Sequence, residues 1–145
     1  DENPFNGRGY THLENVRHLE AEDDQTVVRW DADGRCVQVT HVDGADEIFL
    51  ADTPAEEGTR SCCIRRATGT DCRFVSLLQA AKGQCGDVDV HTEETPTGTE
   101  ITVESRNFAD RITVPADPDE QIEMIRLDAG GETISRETAI PEESE

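Results

Sequence analysis

The sequence predicts an all-β protein, an antiparallel β-sandwich of about ten short strands, and three observations lead there. Of the 29 Leu, Ile, Val and Phe residues in the 145-residue chain, 19 are Val or Ile, whose branched Cβ suits a pleated surface better than a helix. These residues recur at every second position in short runs, the period of a strand with one buried face. Turn-forming Gly, Pro and Asp separate the runs at regular intervals. Only residues 74–82 compete as a helix, and that helix would be short and uncapped.

Taken in order, residues 26–31 (TVVRWD) and 35–41 (RCVQVTH) flank Ala32, Asp33 and Gly34 and form a hairpin, because Asp-Gly favours the positive φ of a tight turn. In its second strand Val37 and Val39 point one way, into the core, and Cys36, Gln38 and Thr40 the other. Residues 46–51 (DEIFLA) make the third strand, ending at Asp52, Thr53 and Pro54, and residues 55–60 (AEEGTR) read as an exposed loop. Residues 61–67 (SCCIRRA) and 72–80 (CRFVSLLQA) flank Thr68, Gly69, Thr70 and Asp71 as a second hairpin. Residues 87–92 (DVDVHT) and 100–105 (EITVES) form a third around Thr95, Pro96, Thr97 and Gly98, with Val88 and Val90 on the same side as Ile101 and Val103. Residues 111–115 (RITVP), 121–128 (QIEMIRLD) and 132–138 (ETISRET) complete the set, the last two turning at Gly130 and Gly131.

The expected core is Val28, Trp30, Val37, Val39, Ile48, Leu50, Ile64, Phe74, Leu77, Val88, Val90, Ile101, Val103, Ile112, Val114, Ile122 and Ile125. No internal repeat is visible, so residues 12–140 are expected to form one sandwich domain. Residues 1–11, rich in Asn, Gly and Pro, read as a linker from an upstream domain, which would make the chain a fragment. Residues 141–145 (PEESE) form a loose acidic tail.

Charge narrows the surroundings. Thirteen Lys and Arg against 33 Asp and Glu give a formal charge of −20, and Lys82 is the sole lysine. A surface of this sign disfavours nucleic acid as a partner. It fits a protein kept soluble in concentrated salt, since at about 1 M the Debye length is about 3 Å and neighbouring carboxylates hardly repel. A haloadapted protein at a cell surface or outside the cell is the expectation. No apolar run is long enough to cross a bilayer as a helix, so no membrane partner is expected.

Chemistry-bearing patterns are few. The sequence has no GxSxG, HExxH, Walker loop or GxGxxG, and so no catalytic residue is assigned. His12, His18, His41 and His91 are scattered. The five cysteines (Cys36, Cys62, Cys63, Cys72 and Cys85) are odd in number and contain no CxxC, which favours buried free thiols over zinc, with one bridge through Cys72 or Cys85 as the alternative. No cofactor is expected beyond a structural Ca²⁺, for which Asp31, Asp33, Asp43, Asp46, Asp87 and Asp89 offer oxygens without forming an Asp-x-Asp-x-Asp-Gly loop.

The candidate ligand-binding residues are Arg65, Arg66, Arg73, Tyr10 and His12. Three arginines around one hairpin have the paired N–H donors to grip a carboxylate or sulfate. The structural alternative is a cross-strand ion pair of Arg66 with Asp71, Arg65 lying opposite Cys72. Tyr10 and His12 lie in the Gly-rich leading segment, where they would face a neighbouring domain's cleft. Trp30 and Phe49 are the other aromatics whose exposure would matter to a sugar.

Residues 48–82 (IFLADTPAEEGTRSCCIRRATGTDCRFVSLLQAAK) resemble the C-terminal β-sandwich of heparinase II/III-type polysaccharide lyases, where an apolar and Arg-containing hairpin precedes an F-V-[ST]-L-L strand. Ile64, Arg65 and Arg66 match the first part and residues 73–78 (RFVSLL) the second, and residues 9–17 (GYTHLENVR) resemble strand-starting segments of the same region. In that family an α/α toroid carries out β-elimination on a uronate and the sandwich packs beside it. The resemblance therefore implies a non-catalytic module that shapes a carbohydrate cleft, with carbohydrate or a neighbouring catalytic domain as partner. The competing expectation is a structural or adhesive subunit that self-assembles through β-strand edges.

Overall fold

The computed structural model describes residues 12–19, 25–43, 47–55, 58–69 and 73–139. The segments 1–11 and 141–145 lie outside the described residues, as do Tyr10, Asp46, Asp71 and Cys72. The predicted class, an all-β antiparallel sandwich, holds: the described residues form eleven strands in three sheets and no helix. In chain order they are β1 (Glu14–Leu19), β2 (Thr26–Ala32), β3 (Arg35–Asp43), β4 (Glu47–Pro54), β5 (Thr59–Arg66), β6 (Val75–Lys82), β7 (Val88–Thr95), β8 (Gly98–Ser105), β9 (Phe108–Pro115), β10 (Ile122–Asp128) and β11 (Thr133–Ala139). The segment 74–82 is thus extended, and β1 is a strand that the alternation did not announce. The chain divides into two compact units, Asp1–Thr26 with Asp43–Val75, and Val27–Val42 with Ser76–Glu145.

The first unit contains a three-stranded sheet in the order β1-β4-β5. Its central strand is covered on both faces, with Ile48 2% and Phe49 3% exposed, and Leu13, Val16, Ala51, Cys62 and Ile64 pack with Phe49. Asn15, at φ +50°, sits where the register of β1 shifts between Glu14 and Arg17. Asn tolerates this left-handed conformation better than most side chains. The Asn15 amide donates to Asp52 at 2.9 Å and the Ser61 hydroxyl donates to the other Asp52 oxygen at 3.2 Å, so one carboxylate ties three strands together.

The hairpin expected between residues 61–67 and 72–80 does not form. β5 pairs with β4, Glu47 opposite Arg66 through Pro54 opposite Thr59, while β6 joins the sheet β2-β3-β6. Physically, the alternating Ile48/Leu50 and Phe49/Ala51 rows let β4 accept a neighbour on either side, a stronger template than the polar turn 68–71. Phe74, expected inside, precedes β6 and is 45% exposed.

In the second unit, Asp33 (φ +51°) and Gly34 (φ +69°) alone turn β2 into β3. Positive φ at both central residues defines the two-residue type I′ turn, which Asp-Gly satisfies with least strain. The three contacts Gly83 N–H to Gly34 O (2.8 Å), Gln38 to Gln79 and His41 to Ser76 set β6 antiparallel to β3. The sequence separated the faces of β3 correctly, but the row expected outside is the more deeply buried one, while on the other face Val39 is half-buried and His41 buried. Cys36 (1% exposed), Gln38 (4%) and Thr40 (0%) are buried, whereas Val37 is 39% exposed. The reason is that the connection after β6 folds onto the Cys36/Gln38 row, as the contacts of Cys85 show.

The rest of the second unit is a meander in the order β11-β10-β9-β8-β7. Val90 lies opposite Val103, both buried, as the alternation predicts. The same row continues through Asp110 to Arg126. Asp110 is 7% exposed and accepts two 2.7 Å bonds from the Arg126 guanidinium, which also lies 4.3 Å above the Phe108 ring. A charge buried this deeply is tolerated only with such a bidentate partner. Ile122 and Ile125, both expected inside, lie three residues apart on a strand and so face opposite sides, each half-buried.

Candidate functional site

The arginine hairpin expected to bind a ligand divides its cations between two faces. Arg65 and Arg66 are consecutive on β5, so their side chains leave the sheet in opposite directions. The Arg65 guanidinium donates to the carbonyl of Val75 at 2.9 Å and lies 4.7 Å over the Phe74 ring. The Arg66 guanidinium is ion-paired with Glu47, its cross-strand neighbour, and lies 5.3 Å over the Phe49 ring. Glu47 is its partner because β4 stands beside β5, and the foreseen partner Asp71 lies outside the described residues. Arg73 is exposed ahead of β6, and His12 is exposed on the turn before β1. Both arginines of the pair are engaged with rings of their own fold, the arrangement of a cation that stabilises a sheet.

Phe49 is buried and Trp30 half-buried, which leaves neither as a flat exposed platform. The four free cysteines among the described residues are Cys36, Cys62, Cys63 and Cys85. Burial, partly offset by the nearby Arg65 charge, pushes the Cys63 thiol above its ordinary range. Among the described residues no group of three or more His, Cys, Asp or Glu side chains is gathered to hold a metal ion. Asp31, Asp33, Asp87 and Asp89, candidates for Ca²⁺, are exposed.

A polar cluster that sequence reasoning missed lies on the sheet β2-β3-β6. Arg29 Nε donates to Gln38 Oε1 at 3.1 Å and Arg29 Nη2 donates to the carbonyl of Cys85 at 2.9 Å. Gln38 Nε2 donates to Gln79 Oε1 at 3.1 Å, and Gln79 Nε2 reaches the carbonyl of Gly86 at 3.2 Å. The chain of donors thus runs across all three strands and fastens the 83–87 connection over the sheet. On the opposite face His41, 7% exposed, shares a 3.0 Å hydrogen bond with the Ser76 hydroxyl. Thr40 Oγ1, fully buried on the first face, has no partner. The only signal in the sequence was the alternation of Cys36, Gln38 and Thr40, which reads as a solvent row unless something covers it.

The edges of the sheets are the remaining feature. Among the described residues, β1 and β5, β2 and β6, and β7 and β11 end their sheets. Five of the six carry charged residues within the strand, the usual guard against pairing with another chain. β6 (VSLLQAAK) carries none before Lys82 at its end, and Leu78 is 68% exposed. No protein-family model, curated protein or solved structure matches this chain.

Proposed function

We propose that this chain is a non-catalytic β-module that acts by association, the open edge of β6 pairing with β6 of a second copy. The observation that carries the reading is the uncharged edge, with Leu78 exposed beside Val39 and Ala80 beside exposed Val37 in the antiparallel register. Because Gly83 N–H donates inward to Gly34, a regular ladder turns the odd-numbered groups of β6 toward β3 and the even-numbered ones, including Ala80 N–H, toward the edge. Antiparallel self-pairing about a two-fold axis sets the same apolar row of each copy beside the other and closes without leaving a further edge of β6. At −20 per chain two copies repel in dilute buffer, and molar salt removes that barrier while leaving the main-chain bonds intact.

The lyase-module reading draws on the likeness of residues 48–82 and asks for arginines shared by one carbohydrate groove. Since Arg65 and Arg66 diverge and each covers a ring of its own fold, association through β6 takes precedence. Light scattering after gel filtration in about 1 M KCl, from about 10 µM to about 1 mM chain, tests it. The expected mass at the upper concentrations is twice the 16.0 kDa of one chain, and Ala80→Pro, which removes an edge N–H outside the β3 ladder, returns the monomer. A wild-type chain monomeric throughout overturns the proposal, as does an Ala80→Pro variant that dimerises as well as wild type.

A further inference from the structure

Cys36 and Cys85 come from different parts of the chain and meet. Cys36 is the second residue of β3, the middle strand of its sheet, and is 1% exposed, and Cys85 belongs to the connection between β6 and β7 and is 6% exposed. Both lie on the buried Cys36/Gln38 face of the sheet, Cys85 held there through Arg29 and Gln79, the partners of Gln38. Several independent contacts hold this approach. Gly83, at φ +84°, reverses the chain at the end of β6, and its N–H is anchored on Gly34. Arg29 clamps the Cys85 carbonyl while bonding Gln38, the residue two positions along β3 from Cys36. Gln79 holds the Gly86 carbonyl, and its own main-chain oxygen lies 3.9 Å from Cys85 Sγ. Two thiols brought together by four anchors on a short connection differ from Cys62 and Cys63, which are consecutive on β5 and point to opposite faces.

We propose that Cys36 and Cys85 form a reversible disulfide, a redox latch that fastens the 83–87 connection to the start of β3, the middle strand of the β2-β3-β6 sheet, when the surroundings supply a small-molecule disulfide. Cys85, flanked by exposed Gln84 and Gly86, becomes accessible when the connection lifts. Its thiolate attacks one sulfur of the oxidant, for example oxidised glutathione, forming a mixed disulfide and releasing one thiol. The Cys36 thiolate then attacks the Cys85 sulfur, the new S–S bond forms, and the second thiol departs. The two protein thiols are oxidised by two electrons, the reagent disulfide is reduced to two thiols, and the two protons end on them.

The bond closes a loop of roughly fifty residues, long enough for constraint of the unfolded chain to stabilise the folded one substantially. A raised Cys85 pKa, caused first by the hydrogen bond with Cys36, then by burial and by charge repulsion from Cys36, fits a latch slow to close at neutral pH. The charged groups facing it are Arg29, which opposes this shift, and Asp31, which adds to it. This inference does not depend on pairing through β6.

The test incubates the full chain in about 1 M KCl with oxidised glutathione, then quenches, alkylates, digests and maps the thiols by mass spectrometry. The expected product is a chain short of two hydrogens, with the peptides holding Cys36 and Cys85 joined and Cys62 and Cys63 alkylated. Its melting temperature rises by about 10 °C, and a reducing agent reverses the rise. The Cys36→Ser variant stops one step earlier, carrying a stable glutathione adduct on Cys85. A wild-type product that keeps the adduct on Cys85 with Cys36 free, or a bridge from either residue to Cys62, Cys63 or Cys72, overturns the proposal, and this wild-type map decides even if the variant fails to fold.

Discussion

The five-stranded meander and the sheet β2-β3-β6 both close a buried surface with little apolar material, and they do so by opposite means. In the meander, Val90 and Val103 face each other inside while Asp89, His91, Glu93 and Glu104 stay exposed, and the one buried carboxylate, Asp110, has Arg126 as counter-ion. In β2-β3-β6 the buried row of the central strand is Cys36, Gln38 and Thr40. There, hydrogen bonds among Arg29, Gln38 and Gln79 do what methyl groups do in the meander. The difference teaches that a chain short of Leu and Phe still builds an interior from amides, provided they are connected. Thr40 Oγ1, buried and unpartnered, marks where the connection ends, at a cost of about 1–3 kcal/mol for such a group.

The largest effect is expected where the meander is sterically closed. Gly98, at φ +152°, lies opposite Pro115, and a Cβ there would fall 2.2 Å from the Val114 carbonyl oxygen and 2.8 Å from Pro115 Cα. Both atoms are backbone, so Gly98→Ala must move β8 from β9 and should cost about 3 kcal/mol or more in urea unfolding. A neutral Gly98→Ala would show that the β8–β9 pairing yields easily to an added methyl group.

An intermediate effect is expected from the polar interior. Gln38→Leu fits the space but strips Gln79 Oε1 of its donor and Arg29 Nε of its acceptor, with a loss of about 2 kcal/mol in the same unfolding measurement. A stabilised variant would mean that the amide chain is tolerated and not used, making both regions apolar in principle.

The smallest effect concerns alkali. The folded chain raises the Cys85 pKa, so the reduced, folded form binds that proton more tightly than the unfolded chain does. The resulting stability is complete below the unfolded thiol pKa and is lost as pH rises through the folded one. Thermal melts of reduced protein from about pH 8 to about pH 10.5 should therefore fall, and Cys85→Ser should flatten the decline. An unchanged slope in Cys85→Ser would assign the alkaline loss to Cys63, whose thiol pKa the fold also raises.

The same two regions explain what could be read from the sequence. Pairing in the meander is between successive strands, so turn residues and alternation fixed β7 through β11 and the burial of Val90 and Val103. The other two sheets depend on partners far apart in the chain. β4 stands between β1 and β5, and β3 between β2 and β6, and no turn signal reports either crossover. Residues 61–67 and 72–80 looked like a hairpin because a polar turn joins them, yet β4 offers β5 a richer row of side chains. The inversion at Val37 has a similar origin: its row is more apolar than that of Cys36, Gln38 and Thr40, but the covering segment, residues 83–87, lies far downstream. At the candidate site, charge and proximity in sequence grouped Arg65 with Arg66, whereas the two-residue period of a strand sends them apart.

Lysine scarcity also gives the molecule a built-in address. Since Lys82 is the one lysine side chain and stands exposed at the end of β6, an amine-reactive fluorophore attached to a side chain can sit nowhere else. The dye would rest beside the strand on which association is proposed to occur, reporting contact between copies through quenching or energy transfer without any engineered residue.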